Sequence, residues 1–397
     1  MQLSSEDKLI LSSIKIHPSK VELEQINHLI PLIQDWDYLT STLIARGIGP
    51  LFYKKLPLLS NNSLIPEAVK TGLQQAWYKT FSRSTLLYKY FREIAGAFTF
   101  QNIQVIALKG IYLSEWLYQD IGLRQFSDID LLVKEEDGAT CLDILRRIGY
   151  TSSYFPERSL SKFVLSKFDL DMVHYPPMVK DGVSVEIHIK LHSKNQSYQV
   201  LLPTLWQNAI PVTLNGIRVS ALNNTDLLIH LCLHLDKHFR NGHVQFTCFN
   251  DITNLLERDA GILDWEKLTE SCRLYHCEET VYLNLVMTQY FMHAAVPTAV
   301  LEKYGYLLTQ KDKKLFIKYL KGNVGNVSNV MLSAHVGFMK NIPNLPEKIR
   351  YIRDVLFPSR AFMLSRYRIK YPSLVLFYYP YRYYIGLKGV LHHIISR

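Results

Sequence analysis

Between Pro66 and Phe100, apolar side chains recur in steps of three and four, at Leu73, Trp77, Leu87, Phe91, Ile94, Ala95 and Phe98. That spacing lines one face of a helix. The segment LLSNNS, residues 58–63, reads as a turn before it, and Pro66 suits a first helical turn. Residues 1–100 therefore read as mostly helical. The pattern changes after Gln101-Asn102. Residues 105–108 form a short apolar strand ending in Lys109-Gly110, and residues 111–118 look helical. RQFSDIDLLV, residues 124–133, is a strand with carboxylates at its entrance. Residues 134–138 open a helix that reaches about Ile148 and stops at Gly149. Residues 168–175 and 183–189 alternate with period two around Lys180-Asp181-Gly182, as in a β-hairpin. From Thr225 the chain returns to helix, with Leu227, Leu228, Leu231 and Leu235 in one stripe. The expected layout is α+β: a helical region over 1–100, a small α/β core over 101–222, a helical domain over 223–345 and a tail over 346–397.

Composition narrows the class. Of 397 residues, 48% are hydrophobic and 20% charged, an ordinary globular balance. The start, MQLSSEDKLILSS, lacks a basic segment followed by an apolar one, so no secretory leader is expected. No run approaches the roughly 20 apolar residues that span a bilayer. The longest, residues 374–387, is broken by Pro380 and Arg382. Five cysteines, odd in number and unevenly spaced, suit reduced thiols. Cys272-Arg-Leu-Tyr-His276-Cys277 lacks a second ligand pair, so burial is the reading there rather than zinc. A cytoplasmic protein is expected, soluble or peripheral to the inner face of the membrane. The net charge of +10 is concentrated in the tail, where residues 348–397 hold ten Lys and Arg against Asp354 alone.

The candidate chemistry sits in Asp128-Ile129-Asp130. On a strand both aspartates face one side, about 6.5 to 7 Å apart along the chain. Two anions at the lip of an apolar strand are costly without a cation, and a hard divalent ion with oxygen ligands meets that need. Glu186, in Val185-Glu186-Ile187-His188, supplies a third carboxylate if its strand lies beside the first. Asp128, Asp130 and Glu186 are thus the expected catalytic and metal-binding residues. They would hold two magnesium ions, or manganese in their place, for in-line displacement at an α-phosphate. A second pair of the same form, Asp169-Leu170-Asp171, lacks this context and is assigned no chemistry.

These residues carry a resemblance. Leu108-Lys109-Gly110, residues 124–133 and Val185–His188 resemble the bacterial uncharacterised nucleotidyltransferase family of the polymerase β-like superfamily. Thr225–His234, Asn250-Asp251-Ile252, Leu263-Asp264-Trp265 and Leu356–Ser359 extend the likeness over roughly residues 30–385. The resemblance implies a polymerase β-like nucleotidyltransferase core, a short mixed sheet with flanking helices. It also implies transfer of an NMP from an NTP, ATP among them, to a hydroxyl on a small molecule, sugar, glycolipid or peptide. An RNA-modifying, toxin-type transferase and a catalytically idle nucleotide-binding scaffold are the alternatives. Where the superfamily carries Gly-Gly or Gly-Ser, this chain has Lys109-Gly110. Gly110 would let backbone approach phosphate, and Lys109 would add a positive charge there.

The remaining candidates for nucleotide binding each have a plainer reading. Arg124 suits a phosphate clamp or a structural ion pair. Ser127 stands beside the aspartate pair. His188 could reach the base or the acceptor, or be a half-buried core histidine. His230, His234 and His238 follow helical spacing, but the glutamate and further ligand of a zinc helix are missing, so His234 and Lys237 are expected near phosphate. Asp251 reads as a helix cap. The tail interleaves its basic residues with tyrosines, which suits packing, an anionic membrane or glycolipid, or nucleic acid, in that order.

Overall fold

The apolar run that follows Asp128 becomes a buried strand. A computed structural model describes residues 3–152, 173–192, 198–240, 246–322, 345–358 and, apart from 359, 368 and 370, those up to 395. Its strands are β1 (Ile106–Ala107), β2 (Asp128–Leu132), β3 (Thr151–Ser152), β4 (Met178–Lys180), β5 (Val183–His188), β6 (Ile210–Leu214) and β7 (Ile217–Ala221). They form one seven-stranded sheet in the order β3-β4-β5-β2-β1-β7-β6. The β2–β5 pair is parallel, and β3–β4, β4–β5 and β6–β7 are antiparallel. The sheet is mixed and helices flank it, so the expected α+β class stands.

The chain divides into two compact units, each assembled from three stretches. One takes Met1–Lys89, Ala107–Ser127 and Ser197–Gly325; the other takes Tyr90–Ile106, Asp128–Gln196 and Asn326–Arg397. The amphipathic stripe read from residue 73 onward lies on the helix Glu67–Phe100, where Leu73, Leu87, Phe91, Ile94 and Phe98 are fully buried.

In the first unit, short helices start where local side chains cap them. Ser4 and Asp7 form a reciprocal capping box at the helix Ser5–Ser12, as Ser19 and Glu22 do at Lys20–Leu29. The helix Asn224–Arg240 buries Leu227, Leu228, Leu231 and Leu235 as its stripe requires. The helix Phe246–Arg258 contains Asp251 in its interior, fully buried. Asp251 is therefore not the cap that its short acidic side chain suggested. All five cysteines are buried as free thiols.

In the second unit, the hairpin forms at Asp181-Gly182. Their φ values of 49° and 77° are those of a type I′ turn, whose twist matches that of the paired strands. The expected partner strand over 168–175 is seen from residue 173. Tyr175 donates its backbone N–H to Ile187, and Ile189 donates to Val173, at 2.9 and 3.1 Å. Between that pairing and β4 the register slips by one residue across Pro176-Pro177, neither of which can donate to a ladder. Asp169 and Asp171 lie outside the described residues. The helix Gly138–Arg147 packs beneath β5, burying Cys141, Leu142 and Leu145. A Cβ on Gly138 would stand 2.4 Å from the Tyr175 ring, so this close approach requires glycine.

Candidate active site

Parallel pairing sets the site. Asp130 stands opposite Glu186, and Leu132 opposite His188. Strand alternation then places Asp128, Asp130, Glu186 and His188 on one face, while Ile129, Leu131, Val185 and Ile187 go to the core. Asp130 is 4% exposed, His188 is equally buried, and Glu186 is half-buried. Their ligand atoms lie within 4.8 Å of one another, the one such group of acidic, histidine and cysteine side chains among the described residues. His188 Nε2 lies 2.8 Å from Asp130 Oδ1 and 3.7 Å from Glu186 Oε2.

Two features differ from the sequence reading. Asp128, half-buried, shares the face but stands one pleat repeat before Asp130, outside the tight group, and His188 takes the third place. His174 was not singled out from sequence. Its Nε2 lies 3.6 Å from Glu186 Oε2, and its ring centroid is 5.1 Å from that of His188. The signal available was its position in the hairpin partner of Val183–His188.

In the other unit, the turn after β1 carries the expected phosphate-binding pair. Lys109 adopts φ +43°, a left-handed backbone that side chains other than glycine pay for in strain. Gly110 is buried, and a Cβ there would stand 2.6 Å from the Phe126 ring. Packing against Phe126 thus demands glycine at 110, independently of any ligand.

Burial holds the His234 imidazole well below the ordinary histidine range, helped by the positive charge of Lys109 and by His238, His230 and Lys237. The three histidines follow one another along their helix, with ring centroids 6.1 Å apart in a tilted pair for His230–His234 and 4.4 Å in an edge-on pair for His234–His238. Among the described residues they do not gather into a metal-ligand group. Burial first, and then the positive charges of Lys109 and Lys237, keep His234 neutral.

Arg124 goes elsewhere. Its Nε and Nη2 donate to the two oxygens of Asp251 at 2.8 and 2.6 Å, and Tyr118 Oη donates to the same carboxylate at 2.9 Å. The geometry is that of a bidentate structural ion pair, the plainer of the two readings of Arg124. Asp251 in turn raises the Arg124 pKa further above its already high ordinary value, against the effect of burial. Ser127 is exposed, and its carbonyl accepts a hydrogen bond from Arg83 Nη2 at 2.6 Å.

The sequence pattern of the uncharacterised nucleotidyltransferase family matches residues 33–293. The chain belongs to that family. The matched span takes in Lys109-Gly110, the strands that bear Asp130 and Glu186, and the helix that bears His234. The resemblance expected as far as residue 385 is matched to residue 293, so Leu356–Ser359 and the basic tail lie beyond it. No curated protein matches the chain. Membership supports nucleotidyl transfer in general, with a nucleoside triphosphate as substrate.

Proposed function

We propose that this family member is a magnesium-dependent transferase that moves an NMP from an NTP to a hydroxyl acceptor. The observation that carries the reading is the register of β2 against β5, which puts Asp130 and Glu186 side by side at the end of an apolar layer. Two carboxylates and a neighbouring histidine within 4.8 Å are a donor set that fits a divalent ion.

His188 is better assigned to Asp130 than to the ion. Its Nε2–H is directed at Asp130 Oδ1 at 2.8 Å, which fixes the orientation of that carboxylate. A histidine that stays off the metal keeps the ligands oxygen-based, as magnesium prefers; one that binds it would favour manganese. Asp130 and Glu186, with Asp128 one pleat repeat along the strand, would hold a divalent ion, which would supply charge to stabilise the displaced pyrophosphate.

The chain's own groups do the rest. Asp130, locked by His188, is the fixed ligand. Glu186, whose side chain is 21% exposed against 5% for Asp130, is the carboxylate open to an acceptor and takes its hydroxyl proton. In the other unit, taken by itself, the positive charges of Lys109 and Lys237 beside His234 suit an anionic ligand such as phosphate.

The deciding assay is pyrophosphate release from each of the four NTPs with magnesium and a panel of hydroxyl acceptors. Asp130→Asn and Glu186→Gln should each lower turnover at least a hundredfold with the fold retained. Wild-type turnover in both variants would end the proposal.

A further inference from the structure

The unit containing the active carboxylates ends in a tail that displays large apolar side chains. On the helix Leu345–Leu356, Leu345, Ile349, Ile352 and Leu356 recur in steps of four, three and four. They therefore share one helical face, and every one is at least 42% exposed. Further on, Leu376 and Phe377 are 71% and 75% exposed.

This is not an unfolded end. Met363, Ile369 and Val375 form a small buried core of their own, packed by Leu364, Tyr367, Tyr378 and Tyr379. Tyr379 Oη and Tyr383 Oη donate to the carbonyls of Pro358 and Leu356 at 2.7 and 2.8 Å, tying the last helix, Tyr378–Ile395, to the end of the amphipathic one. The apolar residues are held outward by a folded support.

Charge identifies the occupant. Residues 348–397 carry nearly all of the chain's excess of +10, with Arg353 exposed on the helix that bears the stripe and Arg360 exposed at the start of the next. A second copy of the chain would bring two strongly positive surfaces together. A nucleic acid would use the arginines and tyrosines, but branched aliphatic side chains offer no face for base stacking. An anionic bilayer takes both: apolar side chains enter the acyl boundary while basic ones lie among the headgroups. Among the described residues no helix is long and apolar enough to cross a membrane, so the tail would lie on the surface.

We propose that the tail is an interfacial anchor that docks this protein on an anionic phospholipid surface through the Leu345–Leu356 stripe and the exposed Leu376-Phe377 pair. The inference is independent of nucleotide turnover.

Co-sedimentation of the full chain with sucrose-loaded vesicles tests it. Vesicles of three parts phosphatidylcholine to one part phosphatidylglycerol should bind at least about tenfold more tightly than pure phosphatidylcholine. Binding should weaken as salt rises. Ile349→Glu/Ile352→Glu, at exposed positions and with an unchanged circular dichroism spectrum, should lose that binding at least tenfold. A second variant, Phe377→Glu, should do the same without touching the helix. Equal binding of variants and wild type, no preference for the anionic vesicles, or a wild-type dimer that both variants dissolve would each overturn the proposal. So would tRNA binding that both variants lose while vesicle binding persists.

Discussion

Arg124 and Asp251, 127 residues apart in sequence, face each other as a bidentate ion pair with both side chains out of water. Removing one partner leaves a buried charge uncompensated. Asp251→Ala should therefore destabilise the protein by about 3–5 kcal/mol. Replacing both, as Arg124→Met with Asp251→Leu, should recover most of that loss. Urea unfolding of the three proteins checks the comparison, and the double variant should retain NTP turnover. Loss of turnover at full stability would return Arg124 to the substrate.

The close approach of Gly110 to Phe126 makes a steric prediction. Gly110→Ala should cost about 1–3 kcal/mol, because its methyl group would overlap the ring. Adding Phe126→Leu should restore part of the stability. A Gly110→Ala protein as stable as wild type, measured by the same urea transitions, would count against this account.

Lys109 combines backbone strain with charge, and the two separate by substitution. Lys109→Gly should gain on the order of 1 kcal/mol of stability by relieving a left-handed backbone. The same change removes a positive charge from beside His234, so the His234 pKa should move up toward the ordinary value. Proton NMR titration of the imidazole follows that shift. In wild type the folded pKa lies below the unfolded one, so stability falls as acid protonates the unfolded chain below about pH 6.5. In the variant this acid sensitivity should shrink.

Lys55 offers a test at the alkaline side. It is 2% exposed, donates to the carbonyls of Ser13 and Leu51, and burial lowers its pKa from 10.5 to about 7. Above pH 7 the folded chain releases this proton while the unfolded chain still holds it. Stability attributable to Lys55 therefore rises with pH between 7 and 10.5, by up to about 1.4 kcal/mol per pH unit. Lys55→Met should flatten that slope. Urea unfolding at pH 7, 8 and 9 reads it before the tyrosines titrate in the unfolded chain.

Much of this was legible because it is local. Asp181-Gly182 encodes its own turn, the stripe on the long helix encodes its buried face, and Asp128–Val133 encodes a strand with both acids on one side. The placement of Glu186 was conditional on strand order, which hydrophobic period does not specify. What stayed hidden depended on distant partners. Nothing near Arg124 says that its carboxylate is Asp251, and a short acidic residue near a helix start looks like a cap until tertiary packing buries it mid-helix. His188 was left between a substrate contact and a half-buried core histidine because strand alternation gives a side, not the Asp130 oxygen it touches.

The route by which β5 acquires its two neighbours bears on the order of assembly. Its antiparallel partner arrives through a two-residue reversal, and such a closure takes microseconds. Its parallel partner must be recruited across a much longer excursion; His188 and Asp130 are 58 positions apart. Loop entropy makes that second docking the slower event. Contact order thus favours early closure of the ribbon bearing Glu186, with Asp130 brought beside it when β2 docks. Disfavouring the reversal, as in Gly182→Val, would delay the maturation of a site to which Gly182 contributes no atom.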